Sequence, residues 1–239
     1  MKKLLLALAL AALAVPASAT LQIAADISGT VFLCADNQAC DLNPAIGQLQ
    51  IADQTINGVR IVGSSQVQST LGGLGFLNTS SFQIENLVTA ARTIILAISG
   101  VDFIGPATTA DMSGSGTFQN ATGSTINLSF YGDPANQQGA DTPLDLPGIQ
   151  LGSFVDVAAN LADAFSYSNT SPFPANGPFY SMSLGTSGTL VAWNGVVGQN
   201  PTLVGRSQTI LAPLAVPEPG TLMLLGLGLL AVAFVRRRV

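Results

Sequence analysis

An all-β chain, folded as an antiparallel β-sandwich of jelly-roll or Ig-like type, is predicted by three observations. Short runs alternate apolar and polar residues, at a spacing of roughly 8–15 positions. Gly, Pro, Asn and Asp cluster between those runs. No long stretch of the middle of the chain carries helical periodicity. The two ends stand apart from this pattern. Residues 1–19 have Lys2 and Lys3, an apolar stretch over 4–15, and then Pro-Ala-Ser-Ala, which is the order of a secretory signal peptide. Residues 216–239 hold an uncharged apolar run over 221–235 that ends on three arginines. The expected plan is therefore a signal peptide (1–19), an extracellular β-sandwich domain (20–215) and a C-terminal segment (216–239) with one transmembrane helix over 221–235.

Residues 21–27 (LQIAADI) and 30–34 (TVFLC) read as the first two strands, separated by Ser28-Gly29. Residues 35–47 are dense in Asp, Asn, Pro and Gly and read as a loop. Residues 47–52 alternate as a strand. Residues 56–62 follow, with Asn57-Gly58 as a turn or a bulge. Residues 64–75 read as a polar, glycine-broken connection. Residues 81–88 place Phe82, Ile84 and Leu87 inward, with a slip in register near Glu85. Residues 92–103 (RTIILAISGVDF) are the most apolar and predict a central strand, because β-branched residues dominate. The glycine-rich residues 112–119 predict an edge strand. Residues 124–131 alternate cleanly, with Ile126, Leu128 and Phe130 on one face. Residues 132–148 form a long loop, either functional or packed back on a sheet. Residues 149–169 are ambiguous, with a short helix over 157–165 between strand-like flanks. Residues 170–178 read as a Pro/Gly/Asn loop. Residues 179–184, 189–193 and 207–212 complete the strands, the first two separated by a turn at 185–188.

The whole chain has 8 basic and 13 acidic residues and no histidine. Residues 20–215 keep three arginines (Arg60, Arg92, Arg206) against twelve acids, a net charge of −9. Nucleic acid and anionic lipid would be repelled by such a domain. Without histidine, a Ser-His-Asp or Cys-His nucleophile has no base. LGGLG at 71–75 lacks the lysine of a phosphate-binding loop. Glu85 is the one glutamate of residues 20–215, and the aspartates are scattered, which is a poor basis for a carboxylate pair. The expectation is a protein that is not an enzyme.

Cys34 and Cys40 are the two cysteines of the chain. In an oxidising compartment they predict one small structural disulfide, whereas a redox pair or half a zinc site fits the spacing less well. Asp36, Asn37, Asp41 and Asn43 place side-chain oxygens at short spacing, as calcium prefers. The same residues also close turns through their own backbone. The loop with Asp133, Asp141 and Asp145 poses the same choice. Trp193 and Tyr131 are candidates for stacking on sugar rings, although the apolar neighbours Val191 and Ala192 favour a core tryptophan. Asn78, Asn120, Asn127 and Asn169 stand in Asn-x-Ser/Thr sequences.

In the tail, Val216, Pro217, Glu218 and Pro219 hold the chain extended before the apolar run. Residues 221–235 reach roughly 22 Å as a helix, short of a bilayer core of about 30 Å. Arg236, Arg237 and Arg238 act as a cytoplasmic stop. This Pro-Glu-Pro turn, apolar run and basic cluster, in that order, resemble the PEP-CTERM sorting signal of Gram-negative bacteria. The resemblance implies processing by the membrane protease exosortase. It further implies a precursor held in the inner membrane and a product released to the cell surface or extracellular matrix. Residues 34–37, 41–47 and 101–106 are more loosely similar to extracellular β-domains that carry such tails, which adds fold rather than function. The expected role is structural or adhesive, in the envelope or the biofilm exopolysaccharide. The alternative is a carbohydrate-binding module for that exopolysaccharide.

Overall fold

The computed structural model describes residues 20–68 and 75–213. The signal peptide and the C-terminal segment expected from the sequence lie outside the described residues. Twelve strands form: β1 (Leu21–Ile27), β2 (Thr30–Ala35), β3 (Gln48–Ile56), β4 (Val59–Gln68), β5 (Gly75–Asn86), β6 (Arg92–Ile104), β7 (Ala107–Gln119), β8 (Thr125–Asp133), β9 (Ile149–Val157), β10 (Ala162–Ala175), β11 (Phe179–Leu190) and β12 (Thr202–Pro213). No helix forms among the described residues. The strands make two six-stranded antiparallel sheets. Sheet A has the order β2-β1-β6-β11-β8-β9, and sheet B the order β10-β7-β12-β5-β4-β3. The sheets stack with their strands matched in order. β1 lies against β3 and β4, β6 against β4 and β5, β11 against β5 and β12, and β9 against β10.

The core fills the space between the sheets. Phe103, Phe118, Phe130, Phe173 and Tyr180 are fully buried there. At the β9–β10 end an aromatic seam runs Phe118–Phe165–Phe154–Tyr167–Phe130, with centroids 5.7, 5.9, 5.5 and 5.6 Å apart. Tyr180 stacks on Phe103 at 5.6 Å, and burial pushes its phenol up to about 12. Burial of these rings, together with the aliphatic side chains around them, drives folding.

The strand reading holds for most elements, and the departures have local causes. Asn57 and Gly58, both at positive φ, make the turn between β3 and β4 rather than a bulge. β4 runs on to Gln68, where the sequence suggested a connection. The register slip expected near Glu85 lies five residues earlier. β5 carries one extra residue, Ser80, relative to both neighbours. Ser81 and Thr79 oppose consecutive Ser64 and Ser65 on β4, while Phe82 and Thr79 oppose Gly205 and Ser207 on β12. Inside that bulge the buried Thr79 hydroxyl accepts from the Ser207 N–H at 2.6 Å and donates to the Ser207 carbonyl at 3.1 Å. The polar groups exposed by the irregularity are thus satisfied.

β7 is not an edge strand, since it pairs with both β10 and β12. Its glycines serve packing. A Cβ at Gly114 would meet Leu128 Cδ1 at 2.5 Å, and one at Gly116 would meet Phe165 Cζ at 2.5 Å and the Val204 carbonyl at 2.6 Å. The helix expected over 157–165 is absent, and β9 and β10 flank a short turn at 158–161. β10 continues through Pro172 and Pro174, which an edge strand accommodates because its outer N–H groups are not needed. The turn expected at 185–188 is instead the middle of β11, with Gly185 and Gly188 in line. A Cβ at Gly188 would clash with the Thr125 carbonyl, and one at Gly185 would meet Ser129 Oγ and Leu146.

Two outcomes follow. Gly116→Ala, which forces a methyl between Phe165 and β12, is expected to lower stability by about 1–3 kcal/mol in urea titration. Tyr180 is stabler neutral when folded, so the wild type should lose stability above about pH 10 as the unfolded chain ionises. Tyr180→Phe is expected to abolish that alkaline slope.

Candidate functional site

The long loop decides which surface is free. Residues 134–148 fold back over the outer face of sheet A. Ala140 packs on Ala24 of β1 and Ala97 of β6, with Leu146 beside them. Gln22 donates its side-chain amide to the Ala140 carbonyl at 3.0 Å. The Gly139 N–H reaches the buried Ser99 hydroxyl at 3.0 Å, and Ser183 donates to the same oxygen at 3.0 Å. Asn136 and Asp102 clamp the loop to β6, with the Asp102 N–H on Asn136 Oδ1 at 2.9 Å and the Asn136 amide on Asp102 Oδ1 at 2.8 Å. The loop is therefore an excursion packed on the sheet. Asp141 accepts the Gln22 side-chain amide at 3.2 Å, and the other two carboxylates are occupied as turn acceptors. Asp133 takes the Ala135 and Gln137 N–H groups, and Asp145 takes that of Asp141.

Among the described residues no loop covers the outer face of sheet B, and its residues form rows across four strands. One row reads Arg206 (β12), Ser115 (β7), Ser166 (β10), set by the pairings Arg206–Ser115 and Ser115–Ser166. The next reads Asn78 (β5), Gln208, Ser113, Ser168. Beyond it lie Phe76, Ile210, Asp111 and Thr170, and on the other side Gln83, Val204, Thr117 and Ala164. Strands about 4.8 Å apart and rows about 7 Å apart give a hydroxyl- and amide-rich platform. The Ser80 bulge bends β5 opposite Arg206. There the face holds a groove of about 510 Å³, lined by Asn78, Ser113, Ser115, Ser166, Arg206 and Gln208. Arg206 is exposed and donates from Nε to Ser115 Oγ at 3.3 Å.

The sequence-derived candidates are placed as follows. Cys34 and Cys40 form a disulfide. Beside it Asp41 accepts from three backbone N–H groups: Asn43 at 2.9 Å, Gln50 at 3.0 Å and Asn37 at 3.1 Å. Asp36 accepts from the Gly47 N–H at 2.6 Å and from the Asn37 amide at 3.1 Å. Asn43 caps Ala45. Desolvation raises the Asp36 carboxyl above the ordinary aspartate range; the Gly47 N–H opposes this and the Asp41 charge adds to it. Among the described residues no three His, Cys, Asp or Glu side chains converge as a metal site. Trp193 is half-buried in the loop between β11 and β12, not in the core, and its indole N–H donates to the Val196 carbonyl at 2.9 Å. Tyr131 lies on the outer face of sheet A, six residues along β8 from Thr125, which pairs near the Trp193 end of β11. At about 3.3 Å per residue the two rings are about 20 Å apart and share no platform. Val216, Pro217, Glu218, Pro219, Arg236, Arg237 and Arg238 lie outside the described residues. The groove itself was not foreseen. Its signal was the alternation of Ser113, Ser115 and Thr117 with Arg206 and Gln208, which glycine richness obscured.

Residues 215–238 match the PEP-CTERM protein-sorting motif, so the chain carries the signal of an exosortase-sorted protein. No curated protein matches the chain. Among solved structures, a carbohydrate-binding module in complex with β-1,4-galactotriose is 9% identical, with 64% of this chain and 88% of that chain covered at a TM-score of 0.30. A xylan-binding domain of Xyn10C from Paenibacillus barcinonensis is 12% identical, covering 71% and 88% at a TM-score of 0.30. A cellulose-specific carbohydrate-binding module is 11% identical, covering 59% and 76% at 0.31.

Replacing Cys34 and Cys40 together by Ala is expected to lower stability by about 2 kcal/mol, the loop-closure entropy of so short a ring. Millimolar calcium is expected to leave the thermal midpoint of the wild type unchanged, because the Asp36 and Asp41 oxygens already hold backbone N–H groups. A calcium-dependent rise that Asp41→Ala abolishes would instead show that the loop binds the ion.

Proposed function

We propose that the protein is exported through its residues 1–19, held in the inner membrane by residues 216–239, and released by exosortase to the cell surface or matrix. There the sandwich domain acts without catalysis, as an adhesive component that holds exopolysaccharide. The observation that carries this reading is the open polar groove on sheet B. Apart from Arg206, its side chains are hydroxyls and amides, which both donate and accept, and so suit a dense array of sugar hydroxyls. Supporting it, the sequence has no histidine to serve a nucleophile, and Asp36, Asp41, Asp133 and Asp145 of the loops are engaged by backbone N–H groups. The reading places polysaccharide on sheet B and not at Trp193 or Tyr131.

Intact mass of the protein recovered from its host checks the sorting half. The expected product begins near Thr20 and lacks Arg236, Arg237 and Arg238; a product that keeps the three arginines contradicts exosortase release. Co-sedimentation with the host's exopolysaccharide checks the binding half. Asn78→Ala and Gln208→Ala, each removing a side-chain amide, are expected to weaken retention several-fold (about 0.5–1.5 kcal/mol each) without changing the thermal midpoint. Retention that survives both substitutions contradicts the assignment to this face.

A further inference from the structure

We infer that the groove on sheet B selects an acidic polysaccharide, a polymer with a carboxylate on its repeating unit, through the guanidinium of Arg206. The inference rests on the groove being a polysaccharide site and names the charge of what it holds.

The three arginines of the described residues have different fates. Arg60 is occupied, at 2.7 Å from Asp53 and 3.3 Å from Glu85. Arg92 is half-buried at the start of β6, in the other sheet. Arg206 is exposed, lines the groove and makes no ion pair among the described residues. Its bond to Ser115 leaves most of the guanidinium donors free. Arg92 makes no ion pair among the described residues either, but it is half-buried at the start of β6, so Arg206 is the unpaired arginine that faces the groove. The face around it is free of carboxylates. Its row and the two flanking rows contain Ser115, Ser166, Asn78, Gln208, Ser113, Ser168, Gln83, Val204, Thr117 and Ala164. The next carboxylates on the face are Asp111, four residues along β7 from Ser115, and Glu85 on β5, opposite Thr202 and so four residues along β12 from Arg206; each is about 13 Å or more away, and Glu85 is held by Arg60. Asp111 already accepts the Thr170 hydroxyl at 2.6 Å.

A planar guanidinium with free parallel N–H groups matches a carboxylate in bidentate fashion. The neighbouring hydroxyls and amides then meet the neutral part of the same sugar chain. One cation in the groove suits a polymer with one charge per repeat.

The test is the affinity of the full chain, in detergent micelles, for polygalacturonate, dextran sulfate and neutral dextran. The expected result is preference for polygalacturonate, a roughly tenfold loss in Arg206→Gln and a smaller loss in Arg206→Lys, which keeps the charge but not the fork. Rising salt should erase the preference. Arg206 is exposed, so an unchanged thermal midpoint in the variants separates lost recognition from lost folding. Equal binding of neutral and acidic polymers, unaffected by Arg206→Gln, would overturn the acidic selectivity and leave the polysaccharide reading standing. Preference for dextran sulfate, or polygalacturonate binding that survives Arg206→Gln, would also overturn it. Binding to none of the three, with none to the host's own polysaccharide, would remove the polysaccharide reading itself.

Discussion

The seal of residues 134–148 over sheet A is the interaction on which the surface of this molecule depends. Ala140 on Ala24 and Ala97, with Ser99 taking the Gly139 N–H, buries the middle of that sheet on both faces. The consequence is visible along the strands. β6 is buried without alternation from Leu96 to Gly100, and β11 from Tyr180 to Gly185. Small residues are required wherever the loop comes close, which is why Gly185 faces Leu146 and Gly139 faces Ser183. A sandwich sealed on one side by its own loop leaves the other sheet, whose outer rows are rich in hydroxyls and amides.

Sheet B gains shape from one extra residue. The Ser80 bulge bends β5, Thr79 and Ser207 absorb the displaced polar groups inside, and Arg206 stands opposite on the outside. Beneath it Gly114 and Gly116 admit Leu128 and Phe165 against the β7 backbone, beside a small cavity of about 20 Å³ bordered by Thr79, Phe82 and Gly205. The groove is thus a backbone irregularity filled from within by apolar side chains and left polar without. Asp41 and Asp133 do comparable work at the ends of the sandwich, closing turns with carboxylates that accept backbone N–H groups.

Strand existence was legible wherever one face met the core and the other met water. β1 was read to the residue, and the alternation of Ile126, Leu128 and Phe130 in β8 reports their burial directly. The reading failed where glycine or proline had a tertiary purpose. Gly185 and Gly188 looked like a turn and are close-approach positions in β11; Pro172 and Pro174 looked like a loop and lie in an edge strand. Short-range sequence cannot separate these cases, since the deciding neighbour is another strand. The sorting motif was legible because its three parts are contiguous. The groove was not, because Asn78, Ser115, Ser166 and Arg206 come together only through strand order.

The central claim is that the molecule binds through the outer face of sheet B while its loop-covered face is structural. Hydrogen–deuterium exchange of the full chain, with and without the host's exopolysaccharide, tests it most directly. The account predicts added protection confined to peptides of β5, β7, β10 and β12, centred on residues 76–78, 113–115 and 206–208. Protection that falls instead on residues 134–148, or on the loop that carries Trp193, would contradict it.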